Sequence, residues 1–228
     1  MADLTELQRI LGVRFKEPAL LEQALIHSSY TNENPTTSLA DNERLEFLGD
    51  AILGAIVAER LYRLIPGAAE GEMSKLRAAL VRRTSLSRIA RSIGLDRYLY
   101  LGRGEEASGG RRKPSNLASA LEAVVAAVFL DSGWIAASEF VLRLFATELE
   151  EAISREVEID YKSQLQQLIL SRQQDAPVYR IIKASGPAHD RSFTAEVIAG
   201  DAILGRGRGK SKKIAETEAA RSALEKLA

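Results

Sequence analysis

Apolar residues recur at Leu45, Leu48, Ile52, Ile56 and Leu64, spaced as one buried stripe along a helix requires. Within the same run Glu43, Glu46 and Asp50 stand at i, i+3 and i+7. At 100° per residue these three carboxylates fall within about 60° of one another, on the face away from the stripe, which points them into a cleft or to solvent. A second stretch, 116–130, is small and apolar on nearly every side and predicts a helix buried over most of its surface. Glu122 is its only charge. Glu70-Gly71-Glu72 precedes a further helix start at Met73. Toward the C terminus the pattern reads as a helix over about 162–172, strand-like runs at 178–184, 191–199 and 202–208, and a helix over 211–227. That order is α-β-β-β-α, with Gly200-Asp201 as a tight turn and 186–190 as a longer projecting loop.

Composition narrows the class. With 228 residues and 46% hydrophobic content, the chain holds one large domain or two smaller ones with a proper core. Cysteine is absent, which fits a reducing cytoplasm and excludes disulfides and thiolate zinc sites. Two histidines in all argue against a histidine metal centre. No secretory segment is evident, and the most apolar stretch, 117–130, is interrupted by Glu122 and shorter than the roughly 20 residues a bilayer requires, so a soluble cytoplasmic protein is expected. The formal charge of zero conceals an uneven distribution: residues 161–228 carry 12 Lys+Arg against 7 Asp+Glu, +5, and residues 1–150 carry 18 against 20, −2. The polar, charge-mixed segment 148–158 reads as the junction, giving domains at 1–150 and 158–228 joined by a linker at 151–157.

The carboxylates carry the chemistry. Three acids on one helix face repel one another and raise each other's pKa, and a buried Glu122 needs a basic partner or a shared metal. A hard cation such as Mg²⁺, which takes oxygen ligands and keeps several waters, is the natural occupant. At the other end of the chain Lys210, Lys212 and Lys213 cluster at the start of the last helix, where the macrodipole is already positive. Folding gains nothing from them there; phosphate oxygens at a helix N-terminus would.

The run Asn42 to Asp50, NERLEFLGD, resembles the signature of bacterial ribonuclease III, and 15–30, 70–81, 101–115 and 122–131 follow in that family's order. Residues 186–190 (GPAHD) and 209–220 (GKSKKIAETEAA) resemble the projecting loop and basic helix start of a double-stranded RNA-binding domain. The resemblance implies a multidomain α and α+β protein, an all-helical endonuclease domain followed by the α-β-β-β-α domain. It implies a homodimer that hydrolyses duplex RNA in line with Mg²⁺, Mn²⁺ substituting, and leaves 5′-phosphate and 3′-hydroxyl ends, with ribosomal RNA precursors and other structured transcripts as substrates. No organic cofactor or membrane is expected.

Residue by residue, Glu46, Asp50 and Glu122 match positions that bind or position the metal, Glu43 and Glu70 match acids that engage metal, water or RNA, and Phe47 matches the ring that enters a socket on the partner protomer. Gln166, Gln167 and His189 match groove contacts, and Lys210, Lys212 and Lys213 match phosphate contacts. One position departs: where the family carries Asp, three residues before Glu122, this chain has Ser119, a poorer metal ligand. A second reading follows from it, a non-cleaving duplex-RNA-binding dimer. His27 is expected to be a hydrogen-bonded helix-end histidine, Trp134 a packing residue, and 102–114 either a loop touching the phosphate backbone or a solvated one.

Overall fold

The computed structural model describes residues 4–36, 39–172, 175–186 and 191–227, and the side chains of all of these except 153–160. The chain divides into two compact units, Met1–Glu150 and Glu151–Ala228. In the first unit the helices run α1 (Leu4–Leu11), α2 (Pro18–Ala24), α3 (Ser28–Glu33), α4 (Glu43–Leu64), α5 (Glu70–Val81), α6 (Arg83–Ser92), α7 (Arg103–Ala107) and α8 (Pro114–Leu144). A helix α9 (Ala146–Ser171) follows. The second unit continues with strands β1 (Val178–Ser185), β2 (Ser192–Ala199) and β3 (Ala202–Gly209), then α10 (Lys212–Leu227). The mostly helical first part and the three-stranded second part agree with the expected fold class. The segment 151–157, expected as a linker, is helical. Residues 146–171 contain neither Gly nor Pro and are rich in Glu, Leu and Gln, so polarity there marks a helix and not a coil.

The core of the first unit is α8, packed against α4, α6 and α2. Ala120, Leu121, Ala123 and the run Val124 to Val128 are fully buried, so the helix is apolar on all sides because protein surrounds it on nearly all sides. It extends well past the predicted end at residue 130 and is, by length and composition alone, the one helix among the described residues long and apolar enough to cross a membrane; half of its most apolar window is buried inside the unit. Gly133, at φ 81° and ψ −176°, breaks its helical geometry. Trp134 follows that bend and stays 41% exposed, against the expectation of a packed ring.

The α4 stripe is shifted from the predicted one. Leu45, Gly49, Ile52, Leu53, Ile56, Val57 and Leu61 are buried, Leu48 is half-buried and Leu64 is exposed. At 100° per residue Val57 and Leu61 share the direction of Glu43, Glu46 and Asp50, and Leu64 lies on that side too, at the free end of the helix. The acidic face is therefore the N-terminal continuation of a face that packs into the core farther along. Asn42 anchors that end: its backbone N–H donates to the Ile26 carbonyl at 2.8 Å and its side-chain amide to the Ala24 carbonyl at 3.2 Å, both buried.

Residues 102–114 fold as α7 and a 3₁₀ turn at Gly110–Arg112, not as an open loop. Lys113 pairs with Glu105 at 2.9 Å, Arg111 pairs with Glu106 and donates to the Asp96 carbonyl, and Asn116 donates to Glu105 at 2.8 Å. The hydrogen bond from Lys113, then that from Asn116, holds the Glu105 carboxyl below its usual range. Two of the segment's basic side chains, Arg111 and Lys113, are thus engaged by its own acids. His27 caps α3 as expected, its Nδ1 accepting from the Ser29 N–H at 3.1 Å.

In the second unit the antiparallel sheet has the order β1-β2-β3, and the Ala199 to Ala202 pairing closes the β2–β3 hairpin over Gly200-Asp201. One face packs Ala195, Val197 and Ala199 against Ala215, Ala219, Ala220 and Ala223 of α10 and Leu165 and Ile169 of α9. β3 approaches α10 backbone to backbone: a Cβ at Gly207 would lie 2.1 Å from the Ala219 nitrogen, and one at Gly205 2.4 Å from the Ala219 carbonyl oxygen. On the opposite face Glu196 is 3% exposed and accepts from Arg180 at 3.2 Å and Arg206 at 2.7 Å, its cross-strand neighbours; these bonds, Arg180 first, keep its carboxyl below the usual range.

Candidate active site and duplex-binding surface

The meeting of α4 and α8 builds the acidic site. Gly49 faces the Glu122 backbone so closely that a Cβ there would lie 1.8 Å from the Glu122 carbonyl oxygen. The contact exists because position 49 has no side chain. It sets Glu46 and Asp50, three residues before and one after the glycine, beside Glu122. Burial, then Asp50, then Glu46, pushes the half-buried Glu122 carboxyl up to about 7, and Arg83 at the start of α6 pulls the other way. Ser119 lies one turn earlier on α8, half-buried and uncharged. The sequence pattern assigns no role to Gly49 or Arg83. The available signals were a glycine inside a long helix and a cation in a first helical turn, where the macrodipole opposes it.

Not every predicted acid joins this group. Glu43 is exposed and lines, with Leu20, Gln23, Arg44, Phe47 and Leu130, a cavity of about 690 Å³. Glu70 opens α5, accepts from the Ser74 hydroxyl at 2.7 Å, and lines a separate cleft of about 360 Å³ with Glu59, Tyr62 and Arg77. Neither is among the groups that perturb Glu122. Phe47 is 81% exposed, so its ring is not a core residue. Among the described residues no three acids or histidines converge closely enough to enclose an ion as they stand. The donor set still suits a hard divalent cation: all its donors are carboxylate oxygens, burial and then the charges of Asp50 and Glu46 raise the Glu122 carboxyl to about 7, and the three project from two facing helices on rotatable side chains.

At the other end, Ser211 caps α10 by accepting from the Ile214 N–H at 3.1 Å, which leaves Lys212 and Lys213 on the first turn, both exposed and neither ammonium group hydrogen-bonded or ion-paired among the described residues. Lys210 is exposed just before them. Gln166 and Gln167 are exposed on α9, away from the buried Leu165 and Ile169. His189, and the loop 187–190 that carries it, lie outside the described residues.

Comparison with known proteins agrees with this architecture. Residues 17–149, more than half the chain, match the Ribonuclease-III-like family, and residues 161–227 match the double-stranded RNA binding motif. A protein named Ribonuclease 3 from Dehalococcoides mccartyi (strain CBDB1) is 54% identical over 227 residues, covering 100% of this chain and 96% of the relative. Ribonuclease 3 of Treponema pallidum (strain Nichols) is 48% identical, with 98% and 89% covered. The solved nuclease domain of ribonuclease III from Campylobacter jejuni, described with a region involved in dimer formation, is 41% identical with a TM-score of 0.59, covering 64% of this chain and 97% of that one. With a matching nuclease domain, a matching RNA-binding motif and relatives this similar over nearly their whole length, the chain belongs to the ribonuclease III family.

Proposed function

We propose that this protein is a double-stranded RNA-specific endoribonuclease that hydrolyses phosphodiester bonds with Mg²⁺, leaves 5′-phosphate and 3′-hydroxyl ends, and acts as a cytoplasmic homodimer on ribosomal RNA precursors and other structured transcripts. The observation that carries the reading is the Glu46, Asp50 and Glu122 group across α4 and α8, in a chain that also bears a double-stranded RNA binding motif. These three residues hold the ion, with Mn²⁺ as a substitute, and Ser119 is its weakest neighbour. When bound, the metal supplies charge neutralisation at the phosphate and activation of water. Asp50 and Glu122 keep the reacting groups in line, while Glu43 and Glu70 engage water or RNA from the adjoining clefts. Phe47, exposed beside an apolar-lined cavity, fits a knob for the same surface on a second copy.

Gln166, Gln167 and His189 contact successive minor grooves, and Lys210, Lys212 and Lys213 bridge the phosphates between them. Lys212→Ala and Lys213→Ala weaken duplex binding without sequence preference, and each lowers the slope of log affinity against log salt by about one. Titrating a fluorescent duplex at several salt concentrations measures this.

Ser119 supports the second reading, duplex binding without cleavage, and one experiment separates the two. A labelled RNA duplex incubated with the purified chain is cut with Mg²⁺ and intact with EDTA if the first reading holds; binding in both conditions with cleavage in neither supports the second. Restoring the carboxylate as Ser119→Asp lowers the Mg²⁺ concentration for half-maximal rate on the order of 10-fold, since ligand charge tunes affinity at such sites.

A further inference from the structure

We propose that Arg83 is a catalytic residue of the acidic site, its guanidinium holding the non-bridging oxygens of the phosphodiester being cleaved. The inference rests on the cleavage reading above. Four arginines lie on or next to α6, and three are engaged within the fold. Arg82 reaches the Ser85 hydroxyl at 3.4 Å, Arg88 pairs with Glu148 at 3.3 Å, and Arg91 donates to the Arg112 carbonyl at 2.6 Å. Arg83 is exposed and its guanidinium makes no hydrogen bond or ion pair among the described residues. Its position on the first turn of α6, a helix packed on α8, brings it near Glu122, and among the described residues it is the one cation whose charge lowers the pKa of that carboxyl.

Helix stability does not account for a cation at that position, because the macrodipole opposes it. Substrate chemistry does. A phosphodiester approaching Glu46, Asp50 and Glu122 is an anion meeting three carboxylates, and a bound divalent ion leaves that group at least one negative charge. A guanidinium presents paired N–H donors that match two phosphate oxygens, and it does so without a proton to lose. Ser119, one turn before Glu122, is uncharged and adds no second carboxylate to that turn of α8.

The test compares the full chain with Arg83→Gln and Arg83→Lys in single-turnover cleavage of a labelled RNA duplex at saturating Mg²⁺, from pH 6 to 9, alongside duplex affinity in EDTA. Arg83→Gln is expected to slow cleavage roughly 100-fold, the scale for losing one donor to a developing oxyanion. Affinity should change less than about 3-fold, since one phosphate contact among several is lost. Arg83→Lys, which keeps the charge and the fold but not the paired donors, is expected to be about 10-fold slow. A wild-type rate in either variant overturns the proposal. So does a deficit in Arg83→Gln that closes as pH rises, because Arg83 then acts only by easing the ionisation of Glu122. If the unsubstituted chain leaves the duplex intact, the cleavage reading itself falls and this inference with it, whereas cleavage by the wild type with unaffected variants removes the inference alone.

Discussion

Glu122→Gln is expected to reduce duplex cleavage by roughly 10³-fold or more while duplex binding in EDTA persists, because the amide removes the charge that a divalent ion needs from α8. Gel-resolved cleavage of a labelled duplex measures the first quantity and a binding titration the second; wild-type turnover in the variant would remove Glu122 from the machinery. The same residue sets a pH dependence with a definite sign. Burial and the neighbouring Asp50 and Glu46 raise its folded-state pKa from 4.5 to about 7. Between those two values the folded protein holds a proton that the unfolded chain has released. In the metal-free protein this contribution to stability is therefore greatest at low pH, declines as pH rises from 4.5 toward 7, and remains a constant penalty above that. Discounted for solvent screening, the penalty is about 1–2 kcal/mol. Denaturant unfolding in EDTA at pH 5 and pH 8 should show Glu122→Gln more stable than the parent at pH 8 and level with it at pH 5. Metal binding runs the opposite way, since the ion must displace that proton. The Mg²⁺ concentration for half-maximal rate should climb as pH falls below 7, approaching about 10-fold per pH unit.

Gly49→Ala is expected to destabilise the first unit by about 3 kcal/mol or more and to depress cleavage even where the variant stays folded. The added methyl group would meet the backbone carbonyl of Glu122 at 1.8 Å, and backbone on the central core helix cannot yield as a side-chain tip does. Separating α4 from α8 also separates Glu46 and Asp50 from Glu122. Gly54 on the same helix is the control: a Cβ there meets nothing within 4 Å, so Gly54→Ala should be neutral or stabilise by about 0.5–1 kcal/mol through helix propensity. Equal effects from the two alanines, read from chemical denaturation midpoints, would refute the close-approach account.

Much of the second unit was legible because its signals are local. Alternating apolar residues and the Gly200-Asp201 turn each specify an element within a few residues, and the strands and α10 lie within one or two residues of their expected bounds. The acids on α4 were legible as a face for the same reason. Where the reading erred, the deciding contacts were distant in sequence or the polar composition was misjudged. The helical course of 151–157 was missed because charge was taken for flexibility, and the folding of 102–114 because part of its hydrogen bonding reaches outside the segment, from Asn116 to Glu105 and from Arg111 to the Asp96 carbonyl. Leu64 was placed on the wrong face, since at 100° per residue it falls with Glu46 and Asp50 and not with Ile52 and Ile56, and at the free end of α4 it stays exposed.

The identity of the second unit's strands and last helix, the acidic face of α4, the surplus of basic charge after residue 160 and the presence of unneutralised carboxylates were determined by the sequence alone, because periodicity, turn chemistry and charge are properties of neighbouring residues. Which carboxylates meet was decided by tertiary structure. A glycine contact between helices some 70 positions apart along the chain put Glu46 and Asp50 beside Glu122, left Glu43 and Glu70 in other clefts, and delivered Arg83 to the site. Proximity across that distance depends on how α4, α6 and α8 pack, and no local pattern records it.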